Sequence, residues 1–303
     1  MLALALALSA ATSPAAPLAL EFVVLAFGSD TVLLLRDCRG PQCKPWETQF
    51  YVTTRAYEGD AARLSRELSR RDIKYKGVWL QSGGGHLAEG IAVGRVLRQK
   101  AATVRVPKGA NCASSCTVAF LGGLFRFIDD SASFVVHSAS RVMGGLDDST
   151  AARIRQGRLR EQFAISQSVA CERSLELLQY FQQSLLLLKG TRQTPPPISA
   201  RACAPGEPYS AEAEARDRER LAVEGIAASQ DILMRFERDA MMTALRSWRN
   251  QVQTLGERAG PAIRMVEAMY DTSILDGADL SRETLLRLGY VTQLVDRPGP
   301  SRP

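Results

Sequence analysis

Histidine is the scarcest chemistry-bearing residue in this chain: His86 and His137 are the only two among 303 residues. That excludes a metal centre built on several imidazoles, and it makes the choice of a histidine base binary. Basic residues are not gathered anywhere. The formal charge of +6 comes from Lys and Arg scattered along the chain, so the clustered stripe that a nucleic-acid partner requires is missing and solvated surface is the reading. A long uninterrupted apolar run is also lacking. The opening MLALALAL breaks at Ser9, too soon to span a bilayer comfortably. With 46% hydrophobic and 23% charged residues, the composition is that of an ordinary globular protein, long enough for one elaborated domain or two small ones.

Charge is absent from residues 1–20, MLALALALSAATSPAAPLAL, which alternate Leu with Ala before small residues and Pro. This reads as the apolar region of a secretory signal peptide, with small-residue cleavage sites near Ala10 or Ala16, although the usual basic start is missing; an uncleaved anchor is the alternative. Any membrane association is expected through this leader only. Six cysteines, Cys38, Cys43, Cys112, Cys116, Cys171 and Cys203, fall into three neighbouring groups. In an exported chain they favour disulfides, with Cys38–Cys43, Cys112–Cys116 and Cys171–Cys203 as the expected pairing. A zinc site is the weaker reading, since neither the Cys-x4-Cys nor the Cys-x3-Cys spacing has a further pair of ligands nearby. No metal and no cofactor are expected. Leader and cysteines together point to a periplasmic or otherwise exported, oxidising location.

From residue 48 the pattern alternates. TQFYVTT reads as a strand, DAARLSRELSRRD as an amphipathic helix, and KGVWLQS as an apolar strand ending in glycines. HLAEGIAVGRVLRQK follows as a helix with Leu87, Ile91, Val93 and Leu97 near one face; then come ATVRVP as a strand, SSCTVAFLGG as a buried helix and ASFVVHS as a strand. Strands separated by helices of this length imply βαβ crossovers and a largely parallel sheet. After about residue 148, helical tracts near 150–190 and 211–256 flank the Pro-rich connector TPPPISARACAPGEP, which cannot continue a helix. LSRETLLRLGYVTQLVD then returns as a capped helix, a Gly turn and a short strand. The expected organisation is a leader over 1–20, an α/β core over 21–148, a helical insertion over 149–258 and a closing α/β segment over 259–303. The LLLL run at 185–188 is read as part of a helical hairpin packed on the core, not as a membrane-facing surface.

Three segments carry candidate chemistry. Gln81-Ser82-Gly83-Gly84-Gly85-His86 lies between a strand and a helix, where consecutive glycines can turn amide N–H groups toward an oxyanion; alone it is a plain tight turn more often than not. Gly109-Ala110-Asn111-Cys112-Ala113-Ser114-Ser115-Cys116 also joins a strand to a helix, and a serine there is ordinarily an N-cap unless a base is in reach. His137 ends the strand SFVVHS, where it would face that helix start.

In this order and spacing, the three segments resemble the Clp protease proteolytic subunit, whose pattern runs from an N-S-P-G-G turn, through a Ser at a helix start, to a strand ending in His. The resemblance covers roughly residues 48–140 and resumes at LSRETLLRLGYVTQLVD. The C-x-S-x-C helix start and the leader are more narrowly similar to exported Clp-protease-like proteins. The resemblance implies an α/β fold of the Clp-protease/crotonase type, with stacked ββα units, a parallel sheet and a long helical insertion. It further implies a serine hydrolase, peptidase-like, with Ser114 as nucleophile, His137 as base and an oxyanion hole from Gly84, Gly85 and the amide of Ser115. Ser114 is preferred to Ser115 because the distance forward to Gly122-Gly123 then fits the family's helix. Cys112 and Cys116 stand one helical turn apart, about 6 Å between Cα atoms, within reach of a disulfide that would stiffen the nucleophile turn.

The chain departs from the family at several points. Gly83 replaces its Pro, His86 replaces a small polar residue, and the orienting acid has no clean register: Asp276 is favoured, Asp271 stands behind it, and a Ser–His dyad without an acid is also open. The long insertion makes a ring of the family's kind doubtful, though a homo-oligomer is compatible. A peptide or protein is the expected substrate. A catalytically silent scaffold or peptide-binding assembly protein is the alternative, and acyl-CoA chemistry of the crotonase kind ranks lower in an exported protein. A Ser–Lys peptidase is set aside, because Lys189 is the only lysine after Ser114.

Overall fold

The computed structural model describes residues 20–37, 59–138, 148–188, 208–255, 260–271 and 277–292. Strands β1 (Leu20–Phe27) and β2 (Asp30–Asp37) form an antiparallel hairpin in which Leu20 lies opposite Asp37 and Phe27 opposite Asp30. Gly28 takes φ +59 at the turn, as tight hairpin turns demand. Val32, Leu33, Leu34 and Leu35 of β2 are all buried. A strand with apolar side chains buried in succession is covered on both faces, the environment of a parallel neighbour. That neighbour is β3 (Tyr75–Gln81), reached through α1 (Asp60–Glu67).

The chain continues through α2 (Leu87–Gln99), β4 (Thr103–Val106), β5 (Asn111–Ala113), α3 (Ser115–Phe120), β6 (Phe125–Ile128) and β7 (Ser133–Val136). One sheet runs β1-β2-β3-β4-β6, parallel except for the β1 edge. After α4 (Asp148–Arg155), α5 (Leu159–Leu188), α6 (Ala211–Glu224), α7 (Ile226–Leu255) and α8 (Gly260–Asp271), strand β8 (Ala278–Asp279) returns and α9 (Arg282–Leu288) follows. β8 completes a smaller sheet, β5-β7-β8, parallel between β5 and β7 and antiparallel between β7 and β8. The architecture is thus mixed α/β with a mainly parallel sheet.

Several elements differ from the sequence expectation. The hairpin at 20–37, the three-residue β5 and the four-residue β6 are not foreseen, the last two being too short for a periodic signal. Each expected helical tract is two helices, because Gly157 and Gly225 take φ +70 and +59 at the breaks and end the preceding helices as glycine does. TQFYVTT, residues 1–19, Cys38, Cys43, Cys203 and Asp276 lie outside the described residues.

The insertion belongs half to the main core. Leu177, Leu178, Phe181 and Leu185 of α5 and Leu245 and Trp248 of α7 are buried in the same cluster as the sheet, while Ile154, Leu159, Ile232, Leu233 and Phe236 form a separate small cluster. Arg126 of β6 ties α5 of the insertion to α3. Wholly buried, it donates to the carbonyls of Leu121 (2.8 Å) and Ser184 (3.0 Å) at the ends of α3 and α5, and burial depresses its pKa far below the usual guanidinium value. The expected capped helix and Gly turn of the tail are present: Ser281 caps α9 by accepting from the Thr284 N–H, and Gly289 ends it at φ +79; residues 290–292 are not strand, and the rest of the expected strand lies outside the described residues. Among the described residues no helix is long and apolar enough to cross a membrane.

Candidate active site

Ser114 sits where β5 stops and α3 starts. β5 is held from both sides: Ala113 pairs with Val135 of β7, while Ser82 donates its N–H to the Asn111 carbonyl (2.8 Å) and accepts the Ala113 N–H (2.9 Å). At Ser114 the N–H goes to the Val135 carbonyl (2.9 Å), and the carbonyl accepts from both the N–H (3.0 Å) and the hydroxyl (2.6 Å) of Thr117. These bonds pin a backbone at φ 55, ψ −128, a region non-glycine residues avoid at a cost of about 1–3 kcal/mol. The side chain occupies the helix N-cap position but makes no capping bond. The ordinary task of a serine here is therefore not what this hydroxyl does.

A disulfide of 2.05 Å joins Cys112 and Cys116 across Ser114, with Cα atoms 5.3 Å apart, and both cysteines are fully buried. This is the bridge the spacing predicts. Cys171 is also disulfide-bonded.

The glycine turn packs directly on Ser114. A Cβ at Gly84, whose φ is +99, would fall 2.5 Å from Ser114 Cβ, 2.6 Å from the Ala113 carbonyl oxygen and 2.9 Å from the Ser115 nitrogen. Only glycine fits so close an approach. The Gly83 N–H is donated to Asp37 Oδ2 and the Gly84 N–H to Ser82 Oγ, each at 3.0 Å. The N–H groups of Gly85 and Ser115 have no acceptor among the described residues. Thus, of the three residues expected to supply oxyanion donors, Gly84 has its amide engaged, while Gly85 and Ser115 do not.

Ser114 and Ser115 are sharply different. Ser115 is 2% exposed, and its side chain lies against α2, where a Cβ at Gly90 would fall 2.8 Å from Ser115 Cβ. Ser114 is half-buried.

His137 follows directly after β7, two residues beyond Val135, whose carbonyl receives the Ser114 N–H. It is half-buried, and its Nδ1 is 2.9 Å from the Ser138 carbonyl oxygen. A carbonyl only accepts, so this contact places a proton on Nδ1, and in the neutral ring it leaves the Nε2 lone pair available. Among the described residues no hydrogen bond joins the imidazole to the Ser114 hydroxyl. His86, the other histidine, is exposed at the start of α2 and makes no capping bond there.

Among the described residues no carboxylate is hydrogen-bonded to the imidazole. Asp271 is exposed at the end of α8, and Asp279 is bonded to the Phe134 N–H (2.9 Å) and the Ser133 hydroxyl (3.2 Å), at the opposite end of β7 from His137. Gly277, the residue after Asp276, packs against β7: a Cβ there would lie 2.6 Å from a Val135 methyl.

Two contributors escape the sequence reading. Ser82, inside the glycine motif, has a signal only in its hydroxyl, and Asp37 ends a strand that the pattern does not reveal. Both line a polar cleft of about 260 Å³ together with Arg36, Gln81, Gly83 and Asn111, at the carboxyl ends of β2 and β3. Nearby, Glu89 of α2 is buried and accepts the Ala61 N–H at 2.6 Å; burial, aided by the Asp60 charge, raises its pKa. No group of three or more His, Cys, Asp or Glu side chains suited to a metal ion occurs among the described residues.

No family model and no curated protein matches the chain. Among solved structures, a carnitinyl-CoA dehydratase from Mycobacterium thermoresistibile is similar at a TM-score of 0.26 and 12% identity, over 91% of this chain and 97% of that one. So remote a likeness carries no chemistry across, and function rests on the geometry of the site.

Proposed function

We propose that the chain is a serine hydrolase, peptidase-like, of the exported Clp-protease-like kind. The observation that carries this reading is the backbone of Ser114: pinned by three hydrogen bonds to Val135 and Thr117 and by a flanking disulfide in a conformation that serine avoids, with a hydroxyl that caps nothing. Strain held in place by surrounding structure is a mark of functional positions.

In this reading Ser114 Oγ attacks the substrate carbonyl and His137 Nε2 takes its proton, then returns it to the leaving group. The Ser138 carbonyl, bonded to Nδ1, holds the tautomer that this role needs and stands in the place a carboxylate takes in a triad; Asp276 is the acid proposed to join it. The bond between Oγ and Nε2 forms when substrate closes the site, as catalytic hydrogen bonds often tighten only then. The oxyanion is received by the N–H groups of Gly85 and Ser115. The buried Cys112–Cys116 disulfide and the apolar leader support an oxidising, extracytoplasmic setting, where CoA is scarce; a peptide or protein is the proposed substrate.

Hydrolysis of an activated ester by the full chain, followed in Ser114→Ala, Ser115→Ala and His137→Ala, tests the proposal. Ser114→Ala should abolish turnover, His137→Ala should lower it by about 10²–10⁴-fold, and Ser115→Ala should retain it. The lack of an Oγ–imidazole bond favours a second reading, a catalytically silent scaffold. Absent turnover would favour that reading, whereas turnover indifferent to Ser114→Ala would overturn Ser114 as the nucleophile.

A further inference from the structure

Three consecutive glycines form a poor oxyanion cradle by themselves. Each has wide conformational freedom, so an amide aimed by such a turn drifts unless something fixes it. What fixes this turn is Ser82. Its main chain is bonded to β5 on both sides, to the Asn111 carbonyl and the Ala113 N–H, in a parallel bridge to Cys112. Ser82 is therefore rigidly referenced to the strand that delivers Ser114. It is 3% exposed, and its hydroxyl accepts the Gly84 N–H at 3.0 Å. Gly84 in turn lies against Ser114 Cβ and the Ser115 nitrogen.

We infer that Ser82 is a positioning residue of the proposed hydrolase site: its hydroxyl latches the Gly84 peptide to the nucleophile strand, and so leaves the next amide, that of Gly85, as the donor to the oxyanion beside Ser115. The inference rests on the hydrolase reading for its catalytic consequence, but not for the latch itself. It assigns Gly84 a packing and latching part instead of a donor's part. The Asp37 carboxylate on the Gly83 N–H holds the outer end of the same turn, so two successive amides are fixed and the third is left to the substrate.

Because the latched amide is buried, Ser82→Ala also removes some stability, of the kind expected when a buried donor loses its partner. Ser82→Thr keeps the hydroxyl and separates the two effects. The experiment compares wild type, Ser82→Ala and Ser82→Thr by turnover of an activated ester, normalised to folded protein, and by hydrogen exchange at the Gly84 amide. Ser82→Ala should lower kcat by about tenfold or more with KM little changed, the mark of an interaction made in the transition state. Ser82→Thr should restore most of it. Gly84 should exchange slowly in wild type and Ser82→Thr and quickly in Ser82→Ala. Equal kcat in Ser82→Ala and wild type, or a loss that Ser82→Thr does not rescue, overturns the positioning role. If wild type shows no turnover at all, the hydrolase reading fails, and the exchange data still decide the latch: a Gly84 amide equally protected in wild type and Ser82→Ala overturns it.

Discussion

Gly84 and Ser114 meet with no room for one more carbon. An alanine at 84 would need φ near +99 and would set its methyl 2.5 Å from Ser114 Cβ and 2.6 Å from a backbone oxygen, so the backbone itself must move. Gly84→Ala should therefore displace the nucleophile turn. The expected result is a drop in turnover of about 10²-fold, the scale of an ångström's misplacement, alongside a stability loss of about 1–3 kcal/mol measured by urea unfolding. A fully active Gly84→Ala would show that the turn and Ser114 are not coupled.

Glu89 makes a different kind of prediction. Burial raises its pKa above the ordinary 4.5, so the folded chain holds the proton more tightly than the unfolded one. Its contribution to stability is complete below the ordinary carboxylate range and is lost as pH rises through the raised folded value. Glu89→Gln removes that dependence while keeping an oxygen for the Ala61 N–H. Thermal unfolding from acid to neutral pH should show wild type losing ground to Glu89→Gln as pH rises; a constant difference would mean that the carboxyl titrates normally.

At the scale of elements, α3 is short and owes its placement to its neighbours. α2 approaches it through Gly90 and Gly94, one turn apart; a Cβ at Gly90 would strike the Ser115 carbonyl oxygen at 2.6 Å. Arg126 holds the Leu121 carbonyl just beyond its far end, and the disulfide ties its first turn to β5. The loop closed by Cys112 and Cys116 is small, so chain entropy limits its stabilisation to about 2 kcal/mol. The larger effect is expected on geometry. A Cys112→Ala/Cys116→Ala variant should lose about that much stability and a greater share of turnover than its folded fraction explains. Turnover that simply follows the folded fraction would make the bridge a stability element alone.

Across the whole molecule, the insertion is anchored at one end and self-contained at the other. Tyr180 donates to the Val118 carbonyl at 2.6 Å, which docks the near half of α5 on α3, and Trp248 donates to Ser174 Oγ at 2.8 Å, which ties α7 to α5. The far halves pack around Phe163, Tyr209 and Phe236, whose rings lie 5.1 to 5.3 Å apart. Phe236→Ala should cost the far cluster about 3–5 kcal/mol, seen as faster hydrogen exchange over α6 and the start of α7, while turnover at Ser114 is kept. Loss of turnover in parallel would join the two cores into one cooperative unit.

Within 59–138, α1, β3, α2, β4, α3 and β7 are readable from their apolar patterns, helped by the glycines that follow β3 and α3. The β1–β2 hairpin is not, since a doubly covered strand such as TVLLL has no alternation to betray it. Ser114, Gly84, Gly85 and His137 stood out through motif order. Ser82 and Asp37 did not, because a hydroxyl or carboxylate that serves a backbone amide leaves no spacing pattern in a single sequence.

The central claim is that the Ser114 hydroxyl is an activated nucleophile. Its most direct test is treatment of the folded full-length protein with a fluorophosphonate, followed by peptide mapping of the adduct by mass spectrometry. A single phosphonyl group on Ser114, lost when His137 is replaced by Ala, is the predicted result; an unmodified Ser114 in folded protein, or an adduct carried by Ser115 instead, would contradict it.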